Sequence, residues 1–213
     1  VDDAIIAVTG NTVIDALLWT RARGFSHGLP LRAGRRLIVV TAHRRESFGA
    51  PMRNMLRALK GIVATHPDVH VVYPAHPNPE VRRAIADELG DSTAIAVVEP
   101  LSYGPFVALL DASTLILTDS GGVQEEAPAL GKPVLVLRDE TERPEAVAAG
   151  VARIVGTDTA RIVAETTRLL DDPAHYERMA RGGSPYGDGH AASRIVERML
   201  GYFQTRAAHR HAH

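Results

Sequence analysis

Cysteine is absent from all 213 residues. That excludes disulfides and Cys-ligated metal centres, and it leaves the compartment undetermined. An excess of charge of one sign is also missing. Lys and Arg number 24 against 25 Asp and Glu, a formal charge of −1, which gives no electrostatic case for nucleic acid as a partner. No apolar run approaches the ~18–20 residues a helix needs to cross a bilayer. The opening Val1-Asp2-Asp3 has no basic region of the kind a signal peptide carries, and no initiator Met precedes it. The chain therefore reads as a fragment of a longer protein. Internal repeats and low-complexity tracts are lacking too. What remains is an ordinary soluble composition, 45% hydrophobic and 23% charged, long enough for one large α/β domain or two small ones.

The stretch from Thr114 to Leu137 organises the rest. Leu115 to Leu117 has the apolar continuity of a buried strand, and Ser120-Gly121-Gly122 breaks it. Val123 to Leu130 reads as a short helix closed by Gly131 and Pro133, and Val134 to Leu137 as a second strand. Strand, glycine turn, helix and strand make a βαβ unit, with the helix amino terminus at the carboxyl edge of a parallel sheet. Free N–H groups and the helix dipole suit that place to an anion. Gly121 and Gly122, without Cβ, would admit a phosphate close to the backbone. Glu126 lies four residues beyond Gly122 on the same face, placed to accept hydrogen bonds from sugar hydroxyls. A turn glycine pair followed by a solvated acidic helix fits the same local pattern.

The surrounding chain repeats this rhythm. Asn11 or Thr12 can cap a helix running towards Arg23, with Gly24 as its stop. Strands are expected at Leu37 to Thr41, Val69 to Tyr73, Ala94 to Val98 and Ala152 to Val155. Helices are expected from about Pro51 to Ala64, Glu80 to Leu89, Gly104 to Leu110, Thr159 to Leu170, Pro173 to Met179 and Ala191 to Gln204. A short helix should also follow Glu145. Strands alternating with helices argue for an α/β fold: a doubly wound, Rossmann-like parallel sheet covered on both faces. The division expected is a leading segment and helix (1–24), the ligand-binding domain (25–189) and a carboxyl-terminal helix and tail (190–213).

In such a sheet ligands bind at the carboxyl edge, and the polar residues gather there. His43-Arg44-Arg45, His76, Pro100-Leu101, Ser120-Gly121-Gly122 and Arg143 would line one rim. A solvated loop histidine would account for either His alone. Convergence of five strand ends on one edge favours a ligand site. Zinc held by His43 and His76 is not expected, because neither has a His or acidic ligand at i+4, and no metal is assigned. His209, His211 and His213 belong to a frayed tail.

Several longer motifs stand in a fixed order: Thr41-Ala-His-Arg-Arg-Glu-Ser-Phe-Gly49, Tyr73-Pro-Ala-His-Pro-Asn-Pro79, Glu99-Pro-Leu101, Thr118-Asp-Ser-Gly-Gly-Val-Gln-Glu-Glu-Ala-Pro128, Gly131-Lys-Pro-Val-Leu-Val-Leu-Arg138, Thr141-Glu-Arg-Pro-Glu145 and Pro185-Tyr-Gly-Asp-Gly189. Together they resemble the bacterial non-hydrolysing UDP-N-acetylglucosamine 2-epimerases, and Val8 to Thr12 resembles the passage into that family's second domain. The resemblance implies the carboxyl-terminal, UDP-binding half of a two-domain, glycosyltransferase-B-like architecture. It implies interconversion of UDP-N-acetylglucosamine and UDP-N-acetylmannosamine by elimination and re-addition of UDP, without a cofactor. It further implies a cytoplasmic isomerase of bacterial cell-surface polysaccharide biosynthesis, homodimeric at full length, with no membrane partner.

Carried over by motif, Ser120, Gly121 and Gly122 contact the diphosphate, Glu126 the ribose, and Leu101 with Phe106 the uracil. His43 and Arg143 face the phosphate–sugar junction as the catalytic pair, and Arg44 and His76 match an activator site for a second UDP-N-acetylglucosamine. The carboxylates that move the C2 proton belong, on this resemblance, to the other domain. Such a fragment should bind UDP and be inactive alone. A UDP-sugar glycosyltransferase, a hydrolysing epimerase or an isolated nucleotide-binding module would share the fold and the glycine loop.

Overall fold

The computed structural model of the chain describes residues 5–211, with side chains through residue 204. The opening Val1-Asp2-Asp3 and the side chains of the His-rich tail lie outside the described residues. Six strands form one parallel sheet: β1 (Arg36–Thr41), β2 (Val69–Pro74), β3 (Ile95–Val98), β4 (Leu115–Thr118), β5 (Val134–Val136) and β6 (Ala152–Ile154). Their order is β3-β2-β1-β4-β5-β6, every neighbouring pair parallel, as in a doubly wound Rossmann-like sheet.

The strands are continuous apolar runs because both of their faces are covered, and the period of two decides which face each residue serves. Ile38 and Val40 of β1, Leu115 and Leu117 of β4 and Leu135 of β5 enter one core. Leu37 and Val39, Ile116, and Val134 with Val136 enter the other. Helices α2 (Ala50–Thr65), α3 (Pro79–Leu89) and α7 (Thr159–Asp171) cover the first face. Met52, Met55, Leu56, Leu59 and Ile62 make the buried stripe of α2, at helical spacing. The second face carries α4 (Tyr103–Ala112) and α5 (Gly121–Ala129), with α1 (Thr12–Ala22) packed on both.

The remaining helices are α6 (Pro144–Ala148), α8 (Pro173–Ala180) and α9 (Ala191–His211). Trp19 on α1 and Val196, Met199, Leu200 and Phe203 on α9 stand more than half exposed, an unusual apolar display for helix surfaces. Among the described residues no helix is long and apolar enough to cross a membrane.

Two local expectations differ from the structure: the backbone of α9 stays helical to His211, past the Gln204 expected as its end and through part of the tail expected to fray, and α5 starts early. The α5 helix begins at Gly121, two residues earlier than the apolar periodicity suggests, so the glycines form its first turn. Neither has positive φ, and no turn geometry demands glycine at either place. What distinguishes them is the missing Cβ. A Cβ on Gly122 would meet only Ser120 Oγ, at 3.9 Å, so the fold leaves open space there.

Candidate functional site

The strand order reverses between β1 and β4, the switch point at which open α/β sheets bind ligands. The ends of those two strands are tied together. Thr41 Oγ1 lies 2.6 Å from Thr118 Oγ1, and the amide of Asp119 donates to Thr41 O at 3.0 Å. Asp119 itself is fully buried, and its Oδ2 accepts from the backbone N–H of His43 at 2.9 Å and of Arg44 at 2.8 Å. Its Oδ1 stands 3.7 Å from His43 Nδ1. A buried carboxylate with two amide donors holds the turn after β1 in one position, so the histidine and arginine leave the rim in fixed directions. The sequence reading passes over Asp119. A carboxylate set at the end of a buried strand, behind Leu115, Ile116, Leu117 and Thr118, was the available signal.

Two cations converge on the amino end of α5. A Cβ built on Gly121 would lie 3.7 Å from Arg44 Nη2 and 3.8 Å from the Arg143 guanidinium carbon. Ser120, the N-cap, makes no side-chain cap bond, so the first N–H groups of the helix keep their donor capacity. The Ser120 amide is spent on Thr118 Oγ1 at 2.9 Å.

Arg143 is aimed by a network. Its Nε donates to Glu125 Oε1, and the other carboxylate oxygen, Oε2, accepts from Asn11 Nδ2 at 2.6 Å. Asn11 meanwhile caps α1 through Oδ1, which accepts from the Val13 amide at 3.0 Å and thereby fixes the amide orientation. Gln124 accepts from Thr141 at 2.5 Å, and Thr141 accepts from the Arg143 amide at 3.0 Å. The Arg44 guanidinium has a looser ion pair, with Glu142 at 4.0 Å. That carboxylate is held at about 2, mainly by its bonds to Arg138, and so stays ionised. Two like charges near one point repel by roughly 1–4 kcal/mol at surface dielectrics, a cost that a bound anion converts into attraction.

Glu126 faces the other way from its neighbour. It is buried, and Oε1 accepts from Tyr103 Oη at 2.7 Å. Burial pushes its carboxyl above the ordinary glutamate range, although the Tyr103 bond pulls the other way. Beside these groups, Thr41, His43, His76, Leu101, Phe106, Ser120 and Val123 line an open cavity of about 250 Å³, with Pro74 and Pro100. His43 and His76 stack there, ring centres 5.9 Å apart and planes 13° apart. The cavity is therefore apolar at the β3 end, and its Ser120 end adjoins the two guanidinium groups at the amino terminus of α5.

Of the residues singled out from the sequence, His43, His76, Leu101, Phe106 and Ser120 share this cavity. Gly121, Arg44 and Arg143 meet at the helix end next to Ser120. Gly122 follows in the same turn, and Glu126 lies one turn along α5, against Tyr103. Among the described residues no group of three or more His, Asp or Glu could hold a metal ion.

A family profile described as UDP-N-acetylglucosamine 2-epimerase matches residues 1–200. The chain belongs to this family. It is 52% identical over 208 residues to the UDP-N-acetylglucosamine 2-epimerase of Escherichia coli K12, covering 92% of this chain and 55% of that protein. The crystal structure of the Neisseria meningitidis UDP-GlcNAc 2-epimerase bound to UDP-GlcNAc superimposes with a TM-score of 0.86 at 42% identity, covering 94% of this chain and 57% of that one. The S. aureus MnaA–UDP structure gives 0.87 at 39% identity, over 95% of this chain and 56% of that chain. The chain thus spans a little over half the length of the epimerases it matches.

Proposed function

We propose that this chain is the UDP-binding half of an enzyme that interconverts UDP-N-acetylglucosamine and UDP-N-acetylmannosamine. The observation that carries the reading is the paired approach of Arg44 and Arg143 to the amino end of α5, where the helix offers N–H donors and Gly121 and Gly122 offer room. A diphosphate fits that place by charge and by shape. The apolar end, Leu101 and Phe106, suits the uracil, and Glu126 suits the ribose hydroxyls. Two similar structures that hold UDP-GlcNAc and UDP support the same ligand class.

The chemistry is elimination of UDP and the C2 proton to give the glucal, then re-addition of UDP at C1 with a proton delivered to the opposite face of C2. Breaking the C1–O bond moves an electron pair onto the diphosphate. Donors already in place stabilise that charge without reorganisation. His43 and Arg143 act at the phosphate–sugar junction, Arg143 through its charge and His43 from the Asp119-anchored turn. The base that removes the C2 proton comes from a preceding domain. Trp19 of α1 and the exposed apolar face of α9 suit burial by that domain, with residues 1–24 as the segment that enters from it. Arg44 and His76 serve a second UDP-N-acetylglucosamine that activates the enzyme, and the full-length protein is a cytoplasmic homodimer.

Two measurements test this. Titrating the 213-residue chain with UDP should shift the amide resonances of Gly121 and Gly122; unmoved amides would remove UDP from this end of α5. Incubation with UDP-N-acetylglucosamine in deuterated water should leave C2 undeuterated, because no C2 base is assigned to this half. Deuterium at C2 would show that one domain suffices.

A further inference from the structure

Asp119 has one oxygen that the anchoring of the turn leaves unused. Oδ2 takes the His43 and Arg44 amides, while Oδ1 is buried with no hydrogen-bond partner among the described residues. A carboxylate oxygen removed from water without a donor is costly. We propose that Asp119 is a positioning residue for His43. Its Oδ1 is the acceptor for the imidazole Nδ1–H, so that Nε2 is the nitrogen turned to the ligand.

The neighbouring donors are engaged elsewhere. Tyr73 Oη donates to Ala42 O. Thr118 Oγ1 takes the Ser120 amide at 2.9 Å and pairs with Thr41 Oγ1. Arg138, which the Asp119 charge reaches, is bound to Glu142 at 2.7 Å and Glu46 at 3.0 Å. His43 Nδ1 remains, 3.7 Å from Oδ1. That separation is roughly 0.5–1 Å longer than a hydrogen bond. Such contacts commonly stand open in unliganded sites and tighten around the ligand. The ring can make the small turn required, because its side chain is 47% exposed and its stack on His76 is loose.

The two nitrogens of an imidazole point away from each other. A ring with Nδ1 on the buried carboxylate therefore presents Nε2 on the side of the cavity it lines with Ser120. One proton stays on Nδ1, and a second, when His43 carries it, sits on Nε2, within reach of a phosphate oxygen. The carboxylate balances that second charge where Arg44 and Arg143 already bring two cations. This consequence rests on the reading of the α5 end as a UDP site; the tautomer does not.

An aspartate that only anchored the turn would need a single oxygen. Asparagine separates the two roles. Its oxygen can keep both amides, and its NH2 then stands where Oδ1 was; the opposite flip would set NH2 against two N–H donors. The NH2 donates to Nδ1, so the ring proton must move to Nε2.

The test is 15N NMR of the His43 ring in the 213-residue chain, assigned by its loss in His43→Gln. Spectra are taken well above the ordinary histidine value of about 6.5, where the imidazole is neutral. Wild type should show a protonated Nδ1 and a bare Nε2, the reverse of what a free imidazole favours. In Asp119→Asn the two nitrogen shifts should exchange places, while retained His43 and Arg44 amide resonances show the turn still held. A wild-type proton on Nε2, or an average of the two forms, would overturn the proposal. So would an Asp119→Asn ring that keeps its proton on Nδ1. Were the variant to misfold, the wild-type spectrum alone would decide. UDP is then added, and the Nδ1 proton should move downfield as the contact closes. If the Gly121 and Gly122 amides stay put, the UDP reading fails while the tautomer result stands. Shifted glycine amides with an unmoved Nδ1 proton would overturn the closing of the contact.

Discussion

The two ends of the switch-point cavity are built on different principles. At the α5 end nearly every functional group is cross-linked: Arg143 to Glu125, Glu125 to Asn11, and the His43 and Arg44 amides to Asp119. At the β3 end, Leu101 and Phe106 are held by packing against the second core. Charge must be aimed, because a guanidinium or carboxylate in the wrong place repels as strongly as it attracts in the right one. An apolar wall need only be present and approximately shaped. Precision is therefore concentrated where the side chains are charged.

Blocking the aimed end should have the largest effect. Gly122→Leu puts a side chain into space the fold leaves open, so UDP binding should vanish while far-UV circular dichroism stays native. An unchanged UDP titration would place the ligand elsewhere. Cutting the cross-links comes next. Asp119→Ala strands two amide donors and should cost about 2–4 kcal/mol in urea unfolding. A loss under about 0.5 kcal/mol, the level of an ordinary surface change, would mean that the turn is held some other way. At the packed end, Leu101→Ala should weaken UDP by only about 1–2 kcal/mol in calorimetry, since the residue is partly exposed. A complete loss there would reverse the contrast between the two ends.

The smallest effect is a pH dependence. Burial raises the Glu126 carboxyl above its ordinary 4.5, so the folded chain holds that proton more tightly than the unfolded one. The stability this supplies is present below 4.5 and is lost as pH rises through the elevated value. Glu126→Gln has no such proton. Its stability relative to wild type should therefore climb over that window, read by thermal unfolding at stepped pH. A constant difference would mean that Glu126 titrates alike in both states.

The sequence made the rim legible for a simple reason. Strands buried on both faces are uninterrupted apolar runs, so the polar residues that end them stand out. His43, His76, Leu101 and Ser120 were found that way, and the structure brings them to one cavity. The start of α5 was misplaced because glycine carries no hydrophobic signal, and the periodicity becomes visible only at Val123. Glu125 and Glu126 are indistinguishable by type and adjacent on one helix, yet one pairs with Arg143 and the other with Tyr103. That distinction depends on which chain segment passes each side of α5, and the Asn11 partner lies 114 positions away from Glu125. Local pattern has no access to it.

Asn11 also has a mechanical consequence. Its amide donates to Tyr186 O at 2.7 Å, and the Tyr186 hydroxyl accepts from the Ala146 amide at 3.2 Å, one turn past Arg143. A few residues on, Arg194 reaches Thr9 O at 3.3 Å. The leading segment and the approach to α9 are thus knotted to each other, and the knot is fastened to Arg143 at the amino end of α5. Any swing of those two segments turns a short lever whose far end is the Arg143 guanidinium, so a motion of the chain's flanks is felt as a change of charge position at α5.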